Sequence, residues 1–179
     1  MKEFDKGKLL NRKVHYSGRI VGLQVDEINI KGLDTIREVI HHPGGVVVLA
    51  EVEDDLIPFV RQYRYPIEKD LLELPAGKLD NGEEPRLSAG RELEEETGYR
   101  ANSLEHVCSF YSSPGFCTEL LHLYYTNDVT KTETAYEHDE EIVLEFYSLE
   151  EAIQLTLEGK ILDGKTITAL FWLFHQRSQ

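Results

Sequence analysis

The sequence predicts an α+β protein or a layered α/β/α arrangement with a mixed sheet, on three observations. Strand-like alternation of apolar and polar residues fills most of the first half of the chain. One strongly helical segment, residues 84–97, lies near the middle, and two further helical segments close the chain after more strands. Repeating βαβ units would alternate helix and strand regularly, and this order does not.

Residues 14–17, 19–30 and 35–41 read as strands, with Val21, Leu23 and Val25 alternating in the second. The run His42-Pro43-Gly44-Gly45 is a break. It divides the chain into an N-terminal antiparallel β-subdomain, residues 1–42, and a main domain, residues 43–179. Residues 45–53 and 56–63 predict a hairpin across Asp54-Asp55, and 71–74 a short strand. The central helix has Pro85 in its first turn and Gly98 just past its end, the expected asymmetry of helix termini. Residues 103–112, 120–127 and 141–147 return to strand. Ser148 and Glu151 form a capping box that opens a helix stopping at Gly159. The last helix, residues 165–176, carries Ile167, Leu170, Phe171 and Phe174 at helical spacing, which predicts core packing.

The chain has 179 residues, enough for one well-filled core. Its net charge of −14, from 33 acids against 19 bases, argues against a phosphate-backbone binder, which needs a basic stripe. No apolar run approaches the roughly 18–20 residues of a membrane span, and MKEFDKGKLL lacks the apolar segment of a signal peptide. We therefore expect a cytoplasmic protein with no membrane or nucleic-acid partner. Cys108 and Cys117 have neither disulfide-framework nor zinc-ligand spacing and are expected to be buried free thiols.

The segment Glu92-Leu93-Glu94-Glu95-Glu96 is the most informative. Like charges at i,i+4 repel on a helix, and the C-terminal end of the macrodipole prefers cations. A run of charge is commonly a solvated face. Here, however, Glu92, Glu95 and Glu96 stand at i, i+3 and i+4 and share one face. Three clustered carboxylates make a hard-oxygen site suited to Mg²⁺ or Mn²⁺, and a bound cation reverses the local electrostatics.

Gly77, Glu83, Arg91, Glu92, Leu93, Glu95, Glu96, Gly98 and Tyr99 match the Nudix box position for position, with Tyr99 a mild variant at the last apolar place. The sequence thus resembles the Nudix hydrolases. Outside the box, Arg37-Glu38-Val39, His42-Pro43-Gly44, Arg61-Gln62-Tyr63-Arg64 and Leu71-Leu72-Glu73-Leu74-Pro75-Ala76-Gly77 resemble the ADP-ribose pyrophosphatase and nucleoside diphosphate sugar hydrolase subgroup. So does Pro114, sixteen residues beyond Gly98.

The resemblance implies the Nudix fold, an α/β/α sandwich with a mixed sheet, preceded by the antiparallel β-subdomain. It implies metal ligands at Glu92, Glu95, Glu96 and the carbonyl of Ala76, holding two or three Mg²⁺ ions with Mn²⁺ as a substitute. Arg91 would form an orienting ion pair, with Glu83 as its expected partner. Substrate contacts fall on Arg19, Arg37, Arg64, Glu73 and Pro114, with Arg64 near the phosphates and Glu73 toward a ribose or base. The subgroup forms homodimers in which N-terminal strands cross to the partner.

The implied activity is metal-dependent hydrolysis of the pyrophosphate bond of ADP-ribose or a nucleoside diphosphate sugar, giving a nucleoside monophosphate and a sugar phosphate. A base outside the box joins Glu95 and Arg91 as catalytic residues. It is expected in the loop Tyr136-Glu-His-Asp-Glu-Glu141, with Glu140 favoured and Glu137, Asp139 and Glu141 open; His138 stands where some relatives carry Glu. The alternatives are another nucleoside diphosphate derivative, such as a dinucleoside polyphosphate or an oxidised nucleotide, or a non-catalytic binding module. Every charged box position is intact, which favours the enzyme.

Overall fold

The computed structural model describes residues 4–53, 56–80, 82–133 and 141–179. Two compact units are present, one formed by the chain up to Gly44 with Tyr111–Leu120, the other by Gly45–Phe110 with Leu121–Gln179.

The first unit is built on β1 (Lys8–Ser17), β2 (Gly22–Ile30) and β3 (Leu33–His41), an antiparallel sheet in the order β1-β2-β3. β1 starts well before residue 14, because backbone pairing with β2 carries it through Lys8–Lys13, where no apolar alternation marks a strand. All ten of its residues are exposed. Arg19, placed by its sequence in a strand, lies instead in the bend between β1 and β2. Lys31 and Gly32, both at positive φ, turn the chain between the paired residues Ile30 and Leu33, the geometry of a tight hairpin. The segment around Pro114 hydrogen-bonds the end of β3 through Ile40 N–H to Phe116 O at 2.7 Å and Thr118 N–H to Ile40 O at 2.9 Å.

In the second unit β4 (Gly45–Ala50) is buried along its whole length. Val47 and Leu49 enter a core with α2 (Leu149–Leu157) and α3 (Gly164–Arg177), contributed by Leu149, Ala152, Ala169 and Leu170. Val46, Val48 and Ala50 point the other way, against Ala89 and Leu93 of α1 (Pro85–Thr97). Successive strand residues face opposite sides, so this alternation between two cores makes the α/β/α sandwich. β4 runs antiparallel to β7 (Ala76–Lys78) and parallel to β10 (Leu120–Thr126), with β9 (Glu105–Tyr111) outermost, so the sheet is mixed. A second sheet has the order β12-β5-β6, from β5 (Ile57–Arg64), β6 (Lys69–Glu73) and β12 (Ile142–Tyr147). The short strands β8 (Tyr99–Ala101) and β11 (Val129–Lys131) pair after α1.

Two further expectations are corrected. Residues 45–53 and 56–63 do not form a hairpin, because β4 and β5 belong to different sheets. A strand buried on both faces needs neighbours on both edges, and β4 finds them in β7 and β10. The stripe on α3 is also only half core. Leu170 is buried, but Phe171 and Phe174 are 43% and 46% exposed, and the inward face is Thr166, Ala169, Leu170 and Leu173. No helix among the described residues is long and apolar enough to cross a membrane.

Candidate active site

The site is organised by the termini of α1 and by β7. Pro85 opens the helix, where its missing N–H costs nothing, and Glu84 caps it by accepting the Leu87 N–H. Gly98 closes it at φ 71°, a left-handed conformation that favours glycine, with its N–H bonded to Glu94 O. Between these limits Glu92, Glu95 and Glu96 occupy adjacent positions on the helix surface, and β7 packs beside them.

Glu96 is 4% exposed, and its Oε2 accepts the Ala76 N–H at 3.0 Å. Gly77 lies against Glu92. A Cβ on Gly77 would sit 2.0 Å from the Cδ and Oε1 of Glu92, so the carboxylate occupies space that only glycine leaves open. Arg91 ties the acidic face together, with Nη1 2.9 Å from Glu92 Oε1 and 3.0 Å from Glu95 Oε2, and Nη2 3.3 Å from Glu83 Oε2. Burial works against the Arg91 charge, but the bonds to Glu83 and Glu95 and the charge of Glu92 raise its pKa further. The bond from Arg91 in turn lowers the pKa of Glu83. Glu94, on another face, pairs with Arg100 at 2.8 Å.

Beside this face, Arg64 at the end of β5 grips Glu73 in a two-point pair, Nε to Oε1 at 2.7 Å and Nη2 to Oε2 at 2.8 Å. The pairing with Glu73, and beyond it the charge of Glu96, raises the Arg64 pKa. Lys165, in the first turn of α3, donates to the same Oε2 of Glu73 and lies 3.0 Å from Asp163 Oδ1. Burial alone would raise the Glu73 pKa, but the two cations bring it down to about 2. The glutamate is therefore ionised and fully engaged.

The sequence profile of the NUDIX domain matches residues 41–170, well over half the chain and including every residue of the acidic helix. The chain belongs to the Nudix family. It is 44% identical over 175 residues to a protein of Bacillus methanolicus named methanol dehydrogenase activator, covering 93% of this chain and 95% of that one. It is 38% identical over 176 residues to an ADP-ribose pyrophosphatase of Bacillus subtilis (strain 168), covering 97% and 95%. A crystal structure of an ADP compounds hydrolase superposes with a TM-score of 0.85 at 21% identity, covering 98% of each chain, which shows the fold.

The Nudix box thus runs from β7 through α1 to Tyr99, and several expected residues meet there. Ala76 touches Glu96, Gly77 makes room for Glu92, and Arg91 reaches Glu83, Glu92 and Glu95. Arg64 and Glu73 are bonded to each other. Arg19, Arg37 and Pro114 belong to the first unit. There Arg37 on β3 bonds Thr35 Oγ1 at 3.1 Å and Ile36 O at 2.8 Å, while Arg19 and Pro114 are exposed in turns. Glu137, His138, Asp139 and Glu140 lie outside the described residues; Glu141 is exposed just before β12. Lys165 was not singled out by any sequence pattern. It stands 92 residues from Glu73, and only the fold joins them.

The donor set fits a divalent cation. Among the described residues no three acidic, His or Cys side chains already stand grouped around one point. The guanidinium of Arg91, however, sits between Glu92 and Glu95 as a cation would. The Gly77 cradle and the Ala76 N–H fix Glu92 and Glu96 against the backbone, the kind of support that orients carboxylate ligands.

Proposed function

We propose that this Nudix protein hydrolyses the P–O–P bond of ADP-ribose and of nucleoside diphosphate sugars, releasing a nucleoside monophosphate and a sugar phosphate. The observation that carries the reading is the pairing of Glu92 with the Gly77 cradle and of Glu96 with the Ala76 N–H. This clusters hard-oxygen donors on one side of α1, with Arg64 beside them.

Glu92, Glu95, Glu96 and the Ala76 carbonyl would hold two or three Mg²⁺ ions, or Mn²⁺ in their place. When bound, such ions neutralise charge on the diphosphate and lower the pKa of an attacking water. Arg91 holds the acidic face in register. Arg64 offers N–H groups to a phosphate, since its pair with Glu73 uses only part of a five-donor fork. Arg19, Arg37 and Pro114 help build the nucleotide site. Glu140 takes the proton from the attacking water. In Glu140→Gln kcat should fall with the metal dependence unchanged; near-normal turnover at saturating Mg²⁺ moves the role to Glu141, Asp139 or Glu137.

We place the enzyme in the cytoplasm as a homodimer without nucleic-acid or membrane partners. The net charge of −14 speaks against a nucleic-acid partner, and the fully exposed β1 with Leu9, Leu10, Val14 and Tyr16 on its surface supports the dimer.

The test is a panel of ADP-ribose, nucleotide sugars, dinucleoside polyphosphates and oxidised triphosphates in ¹⁸O-labelled water. AMP and ribose 5-phosphate from ADP-ribose are expected, with the label marking the attacked phosphorus. Pyrophosphate released from a triphosphate as the dominant product would overturn the assignment. The similarity to a methanol dehydrogenase activator supports a second reading, action on a dehydrogenase. Turnover of ADP-ribose by the isolated chain favours hydrolysis. No turnover, with a methanol dehydrogenase accelerated on mixing, favours the second.

A further inference from the structure

A lysine in the first turn of a helix is out of place electrostatically, because the N-terminal end of the macrodipole prefers anions. Lys165 occupies that position in α3, and its side chain is only 13% exposed. Such a cation persists where specific partners hold it, and here there are two, Glu73 and Asp163. The start of α3 is also registered to the sheet. Asp163 Oδ2 accepts the Thr166 N–H at 3.0 Å and its hydroxyl at 2.6 Å, while Thr166 Oγ1 accepts the Leu74 N–H at 2.9 Å. Leu74 is the residue after Glu73, so α3 is pinned directly beside the carboxylate that holds Arg64.

We infer that Lys165 and Glu73 are positioning residues that hold the Arg64 guanidinium ready for the diphosphate of the substrate. The proposal rests on the reading of Arg64 as a phosphate contact. Both oxygens of Glu73 are engaged by Arg64, and one of them also by Lys165. Glu73 is thus assigned to aim Arg64 and not to bind a ribose. The two-point pair uses Nε and Nη2, so among the described residues the outer edge of the fork, Nη1, is left to face an anion.

The charge balance explains why a second cation is needed. Arg64, Lys165, Glu73 and Asp163 form a neutral group. Without Lys165 the same group carries −1 near Glu96, and an approaching diphosphate would meet a repulsion that the neutral group does not present.

The experiment compares the wild-type chain with Lys165→Met, Lys165→Arg, Arg64→Ala and the double variant Lys165→Met/Arg64→Ala. Each is measured by KM and kcat for ADP-ribose, by calorimetric Kd for inorganic pyrophosphate, and by Tm. In Lys165→Met both KM and Kd should rise about tenfold with kcat changed little, the pattern of lost substrate binding. Lys165→Arg should restore most of the loss, and Lys165→Met should add nothing once Arg64 is gone. Lowered Tm with unchanged KM and Kd, or the same factor in the Arg64→Ala background, would overturn the proposal. A wild-type chain that binds pyrophosphate but leaves ADP-ribose uncut would sink the proposed function alone. The Lys165 assignment would then be decided by Kd.

Discussion

Glu96→Gln should lower kcat/KM by about 10³-fold, at the upper end of what one charge-stabilising group contributes, while leaving the fold intact. The reason lies in how the two ends of the side chain are used. Oε2 accepts the Ala76 N–H at 3.0 Å, and a glutamine can present its own amide oxygen to that donor. Helix α1 therefore stays joined to β7, and Tm should move by no more than a few degrees. What is lost is the negative charge, and in its place the substituted side chain points an NH₂ donor where a cation would be held. The half-saturating Mg²⁺ concentration should rise together with the loss of rate. Glu96→Ala differs in kind, since it leaves the partly buried Ala76 N–H without its acceptor, at a cost of about 1 kcal/mol. A titration of activity against Mg²⁺, run beside thermal melts, separates the two. An unchanged metal dependence in Glu96→Gln would remove Glu96 from the ligand set.

The arrangement of the acidic helix was legible in the sequence because it is local. Glu92, Glu95 and Glu96 share a face by helical spacing alone, and Pro85 and Gly98 mark the limits of α1 where the structure has them. The capping box at Ser148 and Glu151 is likewise a contact between residues three apart. What could not be read depends on contacts between distant segments. β4 has the same apolar run whether its neighbour is β5 or the pair β7 and β10, and only the competition among strands decides. The helical spacing of Phe171 and Phe174 matches that of Leu170, yet the core takes Leu170 and leaves both rings half exposed. Helical spacing places residues on a common arc without fixing its width. Nothing near Glu73 in sequence reveals that Lys165 comes from the far end of the chain to share it.

Gly77→Ala is expected to uncouple activity from stability more cleanly than any change to a charged residue. Gly77 does not have a positive φ, so its backbone conformation is open to alanine without strain. The obstacle is a side chain, since the added methyl would stand 2.0 Å from the Cδ and Oε1 of Glu92. A carboxylate at the end of a flexible chain can swing aside at little cost, whereas a methyl on Gly45 would meet the backbone oxygen of Gly77 at 2.7 Å, which has no such freedom. The chain should therefore fold with nearly wild-type Tm, and Glu92 should be the group that moves. Arg91 Nη1, now 2.9 Å from Glu92 and 3.0 Å from Glu95, would lose one of the two carboxylates that hold it. A misplacement of about 1 Å can cost about 10²-fold in rate, and a loss of that order is expected here, with weaker Mg²⁺ binding by calorimetry. Normal turnover at normal Mg²⁺ in a well-folded Gly77→Ala protein would show that the place Glu92 occupies beside Gly77 is not one the reaction uses. The box glycine would then serve only the close packing of β7 on α1.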